Sequence, residues 1–248
     1  MKLTSKILLT MLVLFIAGIV MSNIALKNEY EKTDKNDLYW TYGKILEQPF
    51  SHLVIQGGNL TKIAYEPSKK PSVRVYRDWE GFDKGIVKAH VTNDTLYLSF
   101  PDTYKDQYEK QYFSWNTLVR IFSPKLLSVN GVNTNLELYK FNQKNINVNI
   151  SGKSYFEVET IDPSLDSLHI QGSDSAEIVF EMSPDVMRDG TFHVHAVDAD
   201  LKNASFLDIG RAQVDSLKLN VADSSGILLS GGTMRKNRTY NYSKESNQ

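Results

Sequence analysis

The chain has 248 residues, 41% hydrophobic and 23% charged, which excludes disorder for its bulk and supplies one sizeable core or two small ones. A formal net charge of -1 argues against a polyanion-binding domain, since nucleic-acid binders carry a basic excess or a clustered basic face. There is no cysteine, which excludes disulfides, thiol catalysis and cysteine acylation.

Between Lys6 and Lys27, Ile7 to Leu26 runs for 20 residues without a charge, the length a helix needs to cross a bilayer. Lys2 and Lys6 precede it, whereas Lys27 to Asp37 mixes Lys with Glu and Asp. The positive-inside rule then places the N-terminus in the cytoplasm and the rest outside. A cleaved secretory signal is the rival reading, with Asn23-Ile24-Ala25 as a poor small-x-small site. The segmentation expected is 1–26 as anchor or signal, 27–49 as charged stalk and aromatic lead-in, 50–125 as an N-terminal β segment, 126–233 as a repeat segment and 234–248 as a polar tail.

From Phe50 onward, short β-branched and aromatic runs predict strands at 53–56, 60–65, 72–76, 86–91, 95–100 and 117–122. Gly57-Gly58-Asn59 and Asn93-Asp94 read as tight hairpin-like turns. Tyr104, Tyr108 and Tyr112 share a spacing of four and would line one face of a short helix. With Phe113 and Trp115 they form a candidate aromatic contact surface, for a sugar or a protein partner. The competing reading is a cover for the open flank of the β core.

Beyond Leu126 the sequence repeats itself. Leu127–Gly131, Ile146–Ile150, Leu168–Gly172, Phe192–Ala196 and Leu217–Val221 share the order apolar, polar, apolar, polar, then small or apolar. Each is followed by a turn residue at a fixed offset: Asn133, Gly152, Asp174, Asp198 or Asp223. A second apolar run then follows, at 136–138, 155–158, 178–180, 206–209 and 227–229. A period of roughly twenty to twenty-five residues with two strands each predicts an all-β fold of stacked β-solenoid or β-helix-like coils.

In that alignment Asp174, Asp198 and Asp223 form a column of acids. Stacked carboxylates raise a pKa or recruit a cation, so the column is the candidate cation or glycan site, with Ca²⁺ the one candidate cofactor. The plainer reading is backbone geometry at a turn. His193 and His195 face the same way on a strand, a spacing that can chelate a transition metal. They fall in columns with Ser128, Asn147, His169 and Lys218, and with Asn130, Asn149, Gln171 and Asn220, and so read as a polar outer face with no metal.

Phe50–Gly57, Pro71–Val75, Asp94–Leu98 and Leu126–Gly131, in that order and spacing, resemble successive segments of the exported bacterial family called "putative auto-transporter adhesin, head GIN domain". The resemblance runs from about 50 to 232, although the motif that names the family survives only as Gly131-Val132-Asn133. It implies an exported β-solenoid-like domain with an adhesive or envelope role and no catalytic residues to carry over.

No Gly-x-x-x-x-Gly-Lys, Gly-x-Ser-x-Gly or His-Glu-x-x-His occurs, so no nucleotide site, serine elbow or zinc hydrolase motif is legible. The expectation is a non-catalytic cell-envelope module, single-pass in the inner membrane through residues 7–26 with its C-terminal domain in the periplasm, or periplasmic or secreted if the segment is cleaved. Its partners would be an envelope glycan or envelope protein, and neither nucleic acid nor nucleotide. Two other classes stay open: a glycan-active enzyme using Asp174, Asp198 and Asp223, and the extracytoplasmic sensor of a membrane-tethered signalling system.

Overall fold

The computed structural model describes residues 3–32, 34, 36–79, 84–101, 117–141, 143–159, 165–181, 193–210, 212–222 and 224–237. The chain divides into two units, Met1–Thr41 and Tyr42–Gln248.

The first unit is built on α1 (Leu3–Lys32). Its apolar stretch contains no proline and one glycine, Gly18, so nothing interrupts the helical hydrogen bonds. Leu3–Glu31 is the one helix among the described residues that is long and apolar enough to cross a membrane, with a mean hydropathy of 2.5 and none of it buried.

The second unit forms two sheets, with strands numbered here in chain order. The first sheet runs β1 (Tyr42–Leu46), β4 (Ser72–Tyr76), β7 (Thr117–Ser123), β3 (Lys62–Pro67), β9 (Asn135–Tyr139), β11 (Tyr155–Glu159), β13 (Glu177–Glu181), β15 (Phe206–Asp208), β17 (Gly226–Leu228). The second runs β16 (Gln213–Val221), β14 (His193–Leu201), β12 (Ser167–Ser173), β10 (Asn145–Ser151), β8 (Ser128–Val132), β2 (His52–Gln56), β6 (Thr95–Ser99), β5 (Lys88–Thr92). A short helix, α2 (Gly231–Lys236), follows the last strand.

Strict alternation gives each strand one apolar side. Leu53, Ile55, Val148, Ile170 and Leu201 of the second sheet are buried in one core cluster with Ile63, Tyr65, Leu136, Phe156 and Ile178 of the first. Successive repeats contribute one strand to each sheet, in parallel register: Val129 pairs with Val148, Val148 with Ile170, and Ile170 with Ala199. One inward column runs Ile55, Gly131, Ile150, Gly172, Leu201. A Cβ on Gly172 would lie 2.9 Å from Ile178 Cδ1 and 3.0 Å from Leu201 Cδ2, so glycine there makes room for the branched side chains beside it.

Three expectations need correction. The fold is not an all-β solenoid but a mixed α/β arrangement of two open, mixed sheets, with α1 and α2 besides. In a solenoid each turn of chain stacks on the one before it; here β2 and β3 lodge directly against β8 and β9, leaving β4 to β7 to build outward on the other side. That side contains the antiparallel pairs β1–β4, β4–β7 and β5–β6. The local cause is visible at Asn93 and Asp94, both at positive φ (50° and 60°), which reverse the chain as a type I′ hairpin turn between β5 and β6. Second, Gly57-Gly58-Asn59 closes no hairpin: the turn, with φ of 83° and 84° at its glycines, carries the chain from β2 in one sheet to β3 in the other.

Third, the fourth repeat is displaced. Leu168 pairs with Val197 and Ile170 with Ala199, so the repeat is Val197–Leu201 rather than Phe192–Ala196. Both segments fit the pattern, and β14, nine residues long, is long enough to have taken either. Its turn residue is therefore Asn203, at φ 53°, in line with Asn133 (52°), Gly152 (72°) and Asp174 (58°). All four occupy the left-handed region, which Gly, Asn and Asp enter most cheaply.

Candidate binding face

The outward side of the second sheet is set by the same alternation that fills the core. In β8, β10 and β12 the residues between the buried Val129, Ile146, Val148, Ile150, Leu168 and Ile170 are Asn130, Asn147, Asn149, His169 and Gln171, all exposed. Parallel register aligns them into rows. Asn130, Asn149 and Gln171 are consecutive in one row, continuing to Asp200 and Asn220. Ser128, Asn147 and His169 are consecutive in the next, continuing to Asp198 and Lys218. Neighbours across strands are about 4.8 Å apart, and successive outward residues along a strand about 6.8 Å apart.

The adjacent strands β6, β2, β8, β10 and β12 contain no Asp, Glu, Lys or Arg. Asn130, Asn147, Asn149 and Gln171 make no side-chain hydrogen bond among the described residues, so their amide donors and acceptors point to solvent. At the β5 side His90 pairs with Tyr97, and their rings stack at 5.1 Å between centroids and 11° between planes. Tyr97 is 38% exposed. The two-residue turn at Asn93-Asp94 fixes this juxtaposition, because it sets Thr92 against Thr95 and therefore His90 against Tyr97. That turn was the signal in the sequence for a surface the strand-by-strand reading missed.

Lysine and acid side chains on this side lie toward its two flanks, Lys88 of β5 at one and those from β14 onward at the other. Asp198 Oδ2 lies 3.7 Å from His169 Nδ1 and 3.0 Å from Lys218 Nζ. Asp200 accepts from Asn220 Nδ2 at 3.1 Å and lies 3.0 Å from Lys202 Nζ. Asp215 of β16 gathers His193 Nε2 at 2.9 Å, His195 Nδ1 at 3.3 Å and Lys236 Nζ of α2 at 2.9 Å. The hydrogen bond from His193, then that from Lys236, hold the Asp215 carboxyl well below its usual range. The two histidines thus share a face, but they converge on one carboxylate oxygen. Among the described residues no group of three or more His, Asp or Glu side chains is arranged to hold a metal ion.

Of the acids aligned in the sequence, the structure does not put Asp174 and Asp198 in one column. Asp174 sits in the turn after β12 and accepts from Asn203 Nδ2 at 2.9 Å, whereas Asp198 lies within β14 on the outward face. Asp223 lies outside the described residues, as do Tyr104, Tyr108, Tyr112, Phe113 and Trp115.

No family model matches the chain, the head GIN domain included, and no curated protein matches it. Among solved structures it is similar to a "putative adhesin" from Parabacteroides distasonis, at 15% identity over 75% of this chain and 71% of that one, with a TM-score of 0.48. It is also similar to a "putative adhesin" from Bacteroides fragilis, at 13% identity over 75% of this chain and 94% of that one, TM-score 0.41. A "putative lipid binding protein" from Parabacteroides distasonis matches at 13% identity over 82% of this chain and 96% of that one, TM-score 0.36.

Proposed function

We propose that the chain is a non-catalytic binding module of the bacterial cell envelope, tethered by α1 with the N-terminus in the cytoplasm and the two-sheet unit in the periplasm. The observation that carries this reading is the outward side of the second sheet at β8, β10 and β12: exposed polar side chains in register across adjacent strands. Catalysis asks for groups converging on one reacting atom within hydrogen-bond reach. A flat array in register instead multiplies equivalent weak contacts, which suits attachment to an extended partner. The length and hydropathy of Leu3–Glu31 support the tether, and Lys2 and Lys6 ahead of it support the orientation.

The test is attachment of the purified full chain, in detergent micelles, to isolated envelope material separated into glycan, protein and lipid fractions. Saturable retention on one fraction, with that fraction chemically unchanged afterwards, is the expected result. Release of small products from the glycan fraction, or no saturable retention on any fraction, overturns the proposal.

A further inference from the structure

We infer that the uncharged part of this face binds a neutral polysaccharide chain lying across the strands, an assignment that rests on the binding-module reading above. Three observations select that ligand class. The first is charge. Five adjacent strands, β6, β2, β8, β10 and β12, contain no Asp, Glu, Lys or Arg, and their two histidines already face partners, His52 against Ser128 and His169 against Asp198. A phosphate, sulfate or uronate group finds no lysine or arginine there, and an anionic membrane finds no cationic patch.

The second is hydrogen-bonding character. A side-chain amide offers two donors and an acceptor with two lone pairs. Amides aligned at strand spacing commonly bond to one another down the stack, but Asn130, Asn147, Asn149 and Gln171 do not. They present both kinds of group outward, as sugar hydroxyls, which also donate and accept, require. A peptide in extended form would seek an open sheet edge for its backbone instead of a face already closed on both sides.

The third is spacing. The row Asn130, Asn149, Gln171 repeats at the strand separation of about 4.8 Å, close to the advance of one sugar in an extended pyranose chain. Each successive sugar can therefore meet an equivalent amide. Beyond Asn130 the row crosses the half-buried Val54 of β2 and ends at Tyr97, its ring backed by His90, a platform on which the C–H face of a sugar can rest.

The decisive experiment titrates the full chain, in micelles, with cellohexaose, mannohexaose and galacturonohexaose. Expected is saturable binding of at least one neutral hexaose, about tenfold tighter than its own disaccharide, with galacturonohexaose not bound. The double variant Asn149→Leu/Gln171→Leu is expected to weaken that binding about tenfold, and Tyr97→Ala to weaken it too. His195→Ala, at the charged end, is expected to leave it unchanged. Asn149→Asp/Gln171→Glu keeps side-chain shape but removes donors and adds charge, so it serves if the leucine variant misfolds, and the same loss is expected of it. No binding of either neutral hexaose, equal binding of the uronate, or binding indifferent to both double variants overturns the inference. Retention on envelope protein that persists in the double variants removes the glycan assignment and leaves the binding module standing; no retention on any envelope fraction removes both.

Discussion

At the scale of single residues, the turn column shows why chemically different side chains are interchangeable along the repeats. Asn133 and Gly152 follow equivalent strands and interlock: Asn133 Oδ1 accepts from Lys153 N at 3.0 Å, and the same oxygen occupies the space a Cβ on Gly152 would need. Gly152 is also at φ 72°. Gly152→Ala therefore meets a left-handed backbone, which costs roughly 1–2 kcal/mol, and displaces a bond whose net worth is about 1 kcal/mol. We expect a loss of about 2–3 kcal/mol in urea unfolding, with the slope m unchanged. The sequence shows that these positions turn, since Asn, Gly and Asp recur at a fixed offset. It does not show that Asn133 acts on the next repeat, because that bond exists only once the two strands have settled in register. For the same reason an apparent column of three acids dissolved: Asp174 belongs to the turns, Asp198 does not, and only pairing could tell them apart.

At the scale of elements, α2 and the Asn237 that ends it cover the first half of the free edge of β16. Ser230 caps it by accepting from Thr233 N at 3.2 Å, the buried Thr233 hydroxyl donates to Ala212 O at 2.8 Å, and Lys236 reaches Asp215. Asn237 continues the clasp, accepting from Leu217 N and donating to Val214 O, both at 3.0 Å. These contacts satisfy edge groups that would otherwise be a template for another chain. This stretch, Met234 to Asn237, reads as tail because its partners, Asp215 and backbone groups of β16, belong to another element and are invisible to periodicity. Asp215 is the ionic centre of the clasp, and its carboxyl titrates below the ordinary value of 3.8. A carboxyl with a folded pKa below its unfolded one stabilises the fold above the unfolded value, and that contribution is lost as pH falls through the folded value. Asp215→Asn is therefore expected to lower the unfolding midpoint at pH 7, with the gap to the parent chain narrowing from about pH 4 downward. Hydrogen exchange at the Leu217 amide should quicken in the variant at pH 7 and match the parent in strong acid. A gap that widened on acidification would contradict the role given to Asp215.

At the scale of the whole molecule, the strands of the second half were legible and the arrangement of the sheets was not. The parallel pairing from β8 to β16 follows from a repeat that recurs with its apolar side in step, whereas the first strands carry no period to say that β2 would pair with β8 and leave β6 and β5 outside it. The N-terminal helix is the opposite case, fixed almost wholly by composition. Its 20 uncharged residues from Ile7 to Leu26 match the hydrocarbon thickness at 1.5 Å per residue. A cleaved signal usually has a shorter apolar core of about 7–15 residues and a small-x-small site after it. Asn23-Ile24-Ala25 meets that requirement poorly, and the helix continues without a break through Lys27 to Lys32. We therefore expect the chain to remain in the membrane fraction after alkaline carbonate washing, with an intact mass that still includes residues 7–26. A protease added outside spheroplasts should digest the two-sheet unit and spare the helix. A mature N-terminus near Leu26 or Lys27, with the protein recovered in the soluble periplasmic fraction, would show instead that α1 is a signal removed on export, and the binding face would then act on a partner without a tether to hold it near the membrane.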